Sequence, residues 1–593
     1  MDNFWNLNDL YVSFDHPQFT RDIEQLQRLI GDLKNWSDNN LNNYEEIKSK
    51  IVFFIDFENN YLKKYNLLFQ FCSLSSSVDT TNKEAIHYRE KLIKINSKHF
   101  ELTVRFSHWI ANIEDLPDLA ARQEVIEDHL EYLLETQRLC AYLLPVEQET
   151  LLYHLKLTGS LAWQNLQKLL TSTLTGQIEI NGELKYLPIN EIQNYYLHPD
   201  KNLRKQAYYS ELEAYSNIEH SVAGCINSIK GESIITSTLK GFKSPLEKVL
   251  IKSRMDQEIL DALLNSINNN LDIFDDYFKF KASVLGGSEG LAWYDLFAPI
   301  TEVSNVYTIT QARDIIVSSL GQFSQPMKSF VQKAFDQSWI DFEIREGKVG
   351  GAFCSNVQSI NQSRILVNFK GNVKNLITLA HELGHAYHGY CLANQTMLNS
   401  SYPMPLAETA SIFNECLFAE NTRTVLREQD ILVIKESLIS NAAQVIVDIY
   451  SRFLFESQLF DLRRQGPLSV EDLKKIMIDS QLKAYRNNLD KSTYHPYRWV
   501  NKPHYYRTDI DFYNFPYAFG LLFAKGLFSH YQNDKIKFIS VYDELLSSTG
   551  KKSIDEVGNE LNINFKSADF WDSCFNIIAG EIRDFLNLYE NFK

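Results

Sequence analysis

The chain has 593 residues, of which 44% are hydrophobic and 23% are charged, a balance typical of a globular protein and not of a disordered one. Its formal net charge of −16 excludes a broad nucleic-acid surface, because phosphate binding needs a basic field. A chain of this length is too long to fold around one ordinary hydrophobic core, so we predict more than one domain.

Helical hydrophobic spacing runs from about residue 19 to residue 174. A break follows at Gln177–Tyr186, where apolar and polar residues alternate around Asn181-Gly182. Because Asn-Gly tolerates the positive φ angles of a type I′ turn, this segment predicts a β-hairpin. We expect residues 1–195 to form an amino-terminal helical lobe that ends near this hairpin, and residues 196–593 to form the second domain.

Helical patterns resume after the hairpin, and a second strand-like region runs from about residue 349 to residue 370. It contains the run Arg364–Phe369, which could pair with an extended peptide backbone if it formed an exposed sheet edge. The alternative is an ordinary buried strand. The remaining chain returns to helical spacing, so the predicted fold class is mostly α, with a small β-sheet beside one helix.

That helix is predicted over Asn372–Asn394. At the helical angle of about 100° per residue, its apolar residues fall on one stripe, and His381, His385 and His388 fall on another face. The predicted apolar stripe consists of Leu376, Leu379, Ala380, Leu383, Tyr387 and Tyr390.

The pattern His381-Glu382-x-x-His385 indicates metal chemistry. Residues at i and i+4 lie one above the other on a helix, so both imidazoles can reach one Zn²⁺. Glu382 points to the side, where it can take a proton from a water activated by the metal. We interpret His388 as a packing or supporting residue. A helix that merely carries surface histidines is the alternative.

A catalytic zinc ion usually has three protein ligands and one position open to water, so a third ligand is needed. After Pro403 and Pro405 a new helical pattern begins, and it carries Glu408 and Glu415 seven residues apart on one face. Glu408 could then reach the metal, while Glu415 could orient one of the ligands. By spacing alone, two solvent-exposed glutamates are the simpler interpretation.

Glu408 follows His381 by 27 positions. Together with this glutamate, the segment His381–His388 resembles the oligoendopeptidase F branch of the thimet oligopeptidase family. Members of this family are zincin metallopeptidases. Other segments are similar to the same family. They are Leu291–Pro299, Gly347–Cys354, His504–Tyr506 and Phe512–Gly520. The resemblance spans roughly residues 195 to 590.

The resemblance implies zinc ligands His381, His385 and Glu408, with Glu382 as the general base. It implies a multi-helical, zincin-like ellipsoid with a deep substrate channel, and residues 196–593 as the catalytic domain. We therefore expect one Zn²⁺ per chain and cleavage of short, unfolded peptides at internal bonds. Folded proteins could not enter such a channel.

Members of this family also have histidine and tyrosine donors near the carboxy terminus that stabilise the oxyanion of the tetrahedral intermediate. His504, Tyr513 and Tyr517 match these donors best, with Tyr513 at the predicted start of the helix that carries Tyr517. Gly520 stands where other members have a further tyrosine. The main donor therefore stays open among the three candidates.

Two other functions stay open. A carboxy-dipeptidase on the same fold would need a partner for the terminal carboxylate of its substrate. A helical peptide-binding protein would keep the fold without the chemistry. The intact set His381, Glu382, His385 and Glu408 favours the endopeptidase.

The seven cysteines are scattered and form no CxxC pair, which predicts reduced thiols in a reducing compartment. The amino-terminal sequence has no basic segment followed by an apolar run, so we expect no signal peptide. No stretch reaches the roughly 18 uncharged apolar residues of a membrane span. We expect a cytoplasmic protein with peptide partners and with no membrane or nucleic-acid partner.

Overall fold

The structure is a computed structural model that describes residues 3–287, 289–301 and 305–592. The helices are α1 Pro17–Asn40, α2 Ile47–Val78, α3 Lys83–Ile110, α4 Leu116–Ala120, α5 Glu124–Asp128, α6 Leu130–Cys140, α7 Val146–Thr158, α8 Ser160–Ser172, α9 Ile189–Asn194, α10 Lys201–Ser216, α11 Glu219–Leu239, α12 Pro245–Lys252, α13 Gln257–Asn269, α14 Asp275–Val284, α15 Ile309–Gly321, α16 Gln325–Asp336, α17 Val373–Cys391, α18 Met404–Ala407, α19 Thr409–Asn421, α20 Glu428–Ala443, α21 Ile449–Arg463, α22 Val470–Tyr485, α23 Phe515–Asn533, α24 Lys535–Ser548, α25 Ile554–Asn559 and α26 Ala568–Phe592. The strands are β1 Thr175–Ile180, β2 Glu183–Pro188, β3 Ile340–Asp341, β4 Ala352–Val357 and β5 Gln362–Val367. The mostly helical fold class is confirmed.

The predicted hairpin is confirmed as the antiparallel pair β1–β2. Ile180 pairs with Glu183 at its closed end, and Asn181 and Gly182 form the two-residue turn with φ of 54° and 82°. Two successive positive φ angles define the type I′ turn that Asn-Gly favours. The turn chemistry of the sequence was therefore sufficient to locate this element.

The chain divides into two compact units, each built from three segments. Unit 1 consists of Met1–Ala141, Ser304–Arg427 and Leu527–Ile563, and unit 2 consists of Tyr142–Val303, Glu428–Gly526 and Asn564–Lys593. Each core therefore joins residues that lie far apart in sequence. The lobe boundary expected near residue 195 stays a prediction.

Unit 1 contains the helices α1–α6 and a core to which the three-stranded sheet contributes. In α1, Phe19, Ile23 and Leu26 recur at three- to four-residue spacing and are buried, as expected for a helix with one apolar face. The sheet has the order β3-β5-β4, with β5 parallel to β3 and antiparallel to β4. Helix α17 packs against β4 and β5.

The interpretation of residues 364–369 as a sheet edge is wrong. Strand β5 is central because β3 and β4 pair with its two sides. Arg364 on this strand is fully buried, and its Nε donates a hydrogen bond to the carbonyl of Asn6 at 2.7 Å. Strand β4 lies at one edge of the sheet instead.

Unit 2 has its own core, to which the hairpin contributes the buried side chain of Ile178. Trp499 and Tyr505 are among its fully buried aromatic residues. A buried ion pair joins Arg204 Nε to Asp295 Oδ1 at 2.8 Å, so these two buried charges neutralise each other. Across the described residues, no helix combines the length and apolar composition that a membrane crossing requires.

Candidate metal centre

Helix α17 presents the motif histidines from a firmly packed position in unit 1. Its N-cap residue Asn372 accepts a hydrogen bond from the backbone N–H of Asn375 at 3.0 Å, which satisfies one free donor of the first turn. The predicted apolar stripe is buried from Leu376 to Tyr387. Tyr390 is an exception, because 44% of its surface is exposed. The buried stripe therefore ends before the last turn of the helix.

Gly384 lies between the two motif histidines and allows a close approach of α19. A Cβ atom at this position would lie 2.5 Å from the carbonyl oxygen of Ala410 and 2.5 Å from Cα of Ser411. Real Cβ atoms do not come this close to backbone, so the two helices could not pack at this distance with any larger residue. The absence of a side chain here brings the α19 segment next to the histidines.

Glu408 stands at the junction of α18 and α19, with φ of −86° and ψ of −2°, at the edge of the right-handed helical region. Ser411 Oγ lies 3.0 Å from Glu408 Oε2 and 2.9 Å from its carbonyl oxygen. The hydroxyl group can therefore help to hold the carboxylate. The predicted helical segment is thus interrupted at its first glutamate.

His381, His385 and Glu408 converge on one point. One ligand atom from each residue lies within 4.8 Å of the others. His381 Nε2 is 3.3 Å and His385 Nε2 is 3.5 Å from Glu408 Oε2. Two ligands of a tetrahedral metal ion with bonds of about 2.05 Å are about 3.3 Å apart, so this donor set fits a zinc ion.

The opposite nitrogen of His381 is held by Glu415. His381 Nδ1 and Glu415 Oε1 are 2.6 Å apart, a distance typical of a strong hydrogen bond. Glu415 accepts here, so Nδ1 carries a proton, and although burial opposes protonation, hydrogen bonds to Glu408 and Glu415 raise the pKa of His381 well above its usual value. A neutral ring with its proton on Nδ1 would leave Nε2 free toward Glu408. Asn356 Nδ2 on β4 donates a hydrogen bond to the carbonyl of His385 at 3.1 Å. This bond connects the helical turn that carries His385 to the sheet.

Glu382 is buried beside the cluster. Burial raises its pKa to about 7, although the charge of His381 and a hydrogen bond from the backbone N–H of Cys354 act in the opposite direction. Only 6% of the surface of Glu382 is exposed, and its carboxylate contacts the backbone of Cys354 on strand β4. This position gives it little access to bulk water.

Burial and neighbouring charges shift the pKa values of the residues in this cluster by different amounts. Burial lowers the pKa of His385 to about 4, with the charge of His381 acting in the same direction. Burial opposes ionisation of Glu408, but its hydrogen bond to His381 and the charges of both histidines lower the pKa to about 2. An ionised carboxylate beside a neutral imidazole is the donor chemistry that a divalent cation requires.

His388 is not part of this cluster. Its ring is fully buried, stacks on Tyr402 with centroids 4.1 Å apart, and places Nε2 2.8 Å from Thr549 Oγ1. Burial lowers its pKa to about 3, so the ring is neutral. His388 joins α17 to neighbouring parts of unit 1.

The three predicted oxyanion donors lie together in unit 2. Tyr517 donates a hydrogen bond to the hydroxyl of Tyr513 at 3.0 Å, and the rings of His504 and Tyr513 are nearly parallel, with centroids 6.3 Å apart. Burial, reinforced by Arg452 and Lys502, lowers the pKa of His504 to about 2. The imidazole is therefore neutral. The catalytic role of these residues stays a prediction.

Sequence reasoning missed the residues that support the cluster. Ser411 could have been noticed because it follows Glu408 by three residues, the spacing of a local hydroxyl contact. Gly384 could have been noticed as a glycine inside a helical pattern. Asn356 lies on another strand, and its contact with α17 has no local signal.

The geometry of the cluster agrees with a comparison against protein families, in which the model of peptidase family M3 matches residues 195–577. This chain belongs to peptidase family M3. The matched region contains every predicted site residue, from His381 to Tyr517. The resemblance to the oligoendopeptidase F branch is confirmed by relatives of that name.

Group B oligopeptidase PepB of Streptococcus agalactiae serotype III is 24% identical over 392 residues, which are 66% of this chain and 64% of PepB. Oligopeptidase PepF of Bacillus subtilis is 21% identical over 575 residues, covering 95% of this chain and 84% of PepF. The chain thus spans slightly less than two thirds of the streptococcal relative. The crystal structure of oligoendopeptidase-F from Enterococcus faecium superposes with a TM-score of 0.71 at 17% identity and covers 97% of this chain and all of that one. This M3 chain therefore shares its fold.

Proposed function

We propose that the chain is a zinc-dependent oligoendopeptidase that hydrolyses internal bonds of short, unfolded peptides. The observation that carries this proposal is the convergence of His381, His385 and Glu408 on one point, with Glu382 beside them. Membership of peptidase family M3 supports the same chemistry.

His381, His385 and Glu408 would hold one zinc ion per chain. When bound, zinc supplies a Lewis acid that polarises a carbonyl group and lowers the pKa of water to about 7. Glu415 holds the His381 ring so that Nε2 is free to face the ion. Ser411 Oγ, 3.0 Å from Glu408 Oε2, would help to hold this carboxylate.

Glu382 would act as the general base. A carboxylate oxygen of this residue would take a proton from the attacking water and pass it to the nitrogen of the leaving amine. Its burial and the hydrogen bond from the backbone N–H of Cys354 on β4 would hold the carboxylate in one position for both transfers. Fixed placement of the proton acceptor is the main requirement for this role.

His504, Tyr513 and Tyr517 would donate hydrogen bonds to the oxyanion of the tetrahedral intermediate. Each has a donor group, since a neutral imidazole keeps one N–H and each tyrosine carries a phenolic O–H. The backbone of the substrate would pair with strand β4, because β5 has both of its sides occupied within the sheet. The proposed partners are short peptides, and the scattered cysteines support a reducing compartment such as the cytoplasm.

The test is metal analysis of the purified protein together with mass spectrometry of fragments from a mixed peptide library. We expect one zinc ion per chain and cleavage at internal bonds. A protein without stoichiometric zinc and without metal-restored hydrolysis would instead be a helical binding protein. Release of only carboxy-terminal dipeptides would identify a carboxy-dipeptidase.

The matched control is Glu382→Gln, which keeps the shape of the side chain and removes the base. We expect this variant to retain zinc and to lose about 10²–10⁴-fold in kcat, the usual contribution of a general base. Retention of more than about a tenth of the wild-type rate would contradict the assigned role.

A further inference from the structure

Phe512 in unit 2 has a backbone conformation that bulky residues seldom adopt. Its φ of 49° lies in the left-handed region, where a residue with a large side chain is strained. Among the described residues other than glycine that have a positive φ, Phe512 is the only aromatic one. It directly precedes Tyr513, one of the predicted oxyanion donors. Backbone strain persists only where surrounding contacts hold it, so the contacts of Phe512 bear on the position of Tyr513.

Asp511, the residue before Phe512, has a buried carboxylate with three hydrogen-bond donors. Lys230 Nζ on α11 donates to Oδ1 at 3.0 Å, and Ser233 Oγ on the same helix donates to Oδ2 at 2.6 Å. Lys248 Nζ on α12 donates to Oδ2 at 3.1 Å. Burial opposes ionisation, but the charges of Lys230 and Lys248 lower the pKa of Asp511 below its usual range. The charged carboxylate is therefore fixed through both of its oxygens.

Helix α21 holds Phe512 itself. The backbone N–H of Phe512 donates a hydrogen bond to the carboxylate of Glu456. The buried ring of Phe512 contacts Phe453 and Phe460 of the same helix, with centroids 5.4 Å from each. Contacts with the backbone and with the ring thus both maintain the strained conformation.

Lys230 connects these two sets of contacts. Its Nζ lies 2.7 Å from Glu456 Oε1 and 3.0 Å from Asp511 Oδ1, and all three side chains are buried. With Lys248, the network has two cations and two carboxylates, so its charges balance. Such a network can serve stability alone. Here, however, both of its carboxylates are bonded to or belong to the residues directly before Tyr513.

The hydroxyl of Tyr513 lies 3.0 Å from that of Tyr517, which donates to it. Tyr513 keeps its own proton for another acceptor, since a hydroxyl group is both donor and acceptor. We propose that Asp511 is a positioning residue that holds Phe512 in its strained conformation and so sets the Tyr513 hydroxyl where the oxyanion forms. This inference rests on the proposed function, and it assigns the main donor role to Tyr513. A donor placed in advance is effective because it needs no reorganisation during the reaction.

The test uses the zinc-loaded, full-length protein and three substitutions in unit 2. Asp511→Asn keeps the shape of the side chain and removes its charge. Ser233→Ala deletes one hydrogen bond to Asp511 and leaves the charged groups in place, so it provides a second measurement if Asp511→Asn folds poorly. The control Glu436→Gln changes another buried carboxylate, which is bonded to Lys281 and Tyr277. Thermal unfolding measures the stability of each variant.

We expect Asp511→Asn to lower kcat by about 10²-fold with little change in KM, because a displacement of roughly 1 Å has an effect of this size. Ser233→Ala should lower kcat by a smaller factor. Glu436→Gln should leave kcat unchanged even if it lowers the unfolding temperature. An unchanged kcat in both Asp511→Asn and Ser233→Ala would overturn the inference.

A double-mutant cycle separates positioning from a purely structural role. In a Tyr513→Phe background, Asp511→Asn should cause almost no further loss of kcat, because the hydroxyl that it positions is already absent. Equal losses with and without the Tyr513 hydroxyl would overturn the inference.

Hydrogen exchange followed by mass spectrometry tests the anchoring without reference to activity. In Asp511→Asn, the backbone amides of residues 507–514 should exchange faster than in the wild type, whereas those of α17 should be unchanged. Unchanged exchange in residues 507–514 would overturn the inference. If the wild type hydrolyses peptides and the Asp511 and Ser233 variants match it, only the inference fails. A wild type without zinc-dependent hydrolysis would overturn the proposed function and the inference together.

Discussion

At the scale of single residues, the two glutamates of the α18–α19 region have different positions around His381. Glu408 Oε2 lies 3.3 Å from His381 Nε2, where a metal ligand would stand, whereas Glu415 Oε1 lies 2.6 Å from Nδ1 on the other side of the ring. A ligand contributes its own bond to the metal. A residue behind a ligand only orients it.

We therefore predict that Glu408→Ala weakens zinc binding more than Glu415→Ala does. Loss of the orienting carboxylate should reduce zinc affinity by about 10–100-fold. Competition with a chelator measures both affinities, and Glu420→Ala, a change at a partly exposed residue near the end of α19, is the control. If Glu408→Ala held zinc as tightly as the wild type, the third ligand would have to be another residue.

Tyr513 and Tyr517 can also be separated, because the hydroxyl of Tyr517 donates to that of Tyr513. Only one of them needs to reach the oxyanion. The corresponding phenylalanine variant should lose about 10²–10³-fold in kcat with little change in KM, because its bond strengthens only in the transition state. Steady-state kinetics of Tyr513→Phe and Tyr517→Phe measure this. Equal and small effects on both would make His504 the leading donor.

At the scale of elements, the site depends on how closely α17 and α19 pack at Gly384. A methyl group there would lie 2.5 Å from the backbone of Ala410 and Ser411, so the α19 segment would have to move. We predict that Gly384→Ala reduces both zinc affinity and stability, the latter by about 1–3 kcal/mol as in other overpacked cores.

Thermal unfolding with and without zinc measures both effects of Gly384→Ala. The control is Gly31→Ala within α1, where an added Cβ atom meets nothing within 4 Å. This control should be neutral or stabilising, because alanine is the better helix former. Wild-type zinc affinity in Gly384→Ala would show that the close approach is not needed to place Glu408.

At the scale of the whole molecule, the prediction concerns substrate size and rests on the family resemblance. Binding an extended peptide costs about 1–2 kcal/mol of backbone entropy per fixed residue, so short segments are favoured. A folded protein must also be unfolded, which costs roughly 5–15 kcal/mol for a stable domain. We predict cleavage of peptides of roughly six to twenty residues, as the resemblance implies, and no cleavage of folded proteins, the direction that backbone entropy also favours.

A folded protein and its own short fragments, incubated separately with the enzyme, provide the measurement by mass spectrometry. Fragments should be cut at internal bonds, and the folded form should persist. Efficient digestion of the folded form would contradict the expected size limit. Digestion of the same protein after chemical denaturation would confirm that folding, and not sequence, protects it.

Local features of the sequence were enough to predict several elements. The turn at Asn181-Gly182, the start of α17 at Asn372 and the i, i+4 spacing of His381 and His385 each depend on residues a few positions apart. Helix and turn geometry relates such residues directly, so their arrangement follows without knowledge of the remaining fold.

Contacts between distant segments could be decided only by the tertiary structure. The sequence could not show that β5 would be central, because an apolar run fits an edge or a buried strand equally well. Asn356 meets the carbonyl of His385, and Gly384 meets Ala410, through packing of separate elements. Leu166 and Leu169 of α8 are exposed although periodicity would fit a helix that buries them. Their exposure depends on distant partners, because Ser160 and Gln167 of the same helix are bonded to Glu232 and to the carbonyl of Val500. Periodicity identifies an apolar face, but only the partners that pack against a helix determine which face is buried.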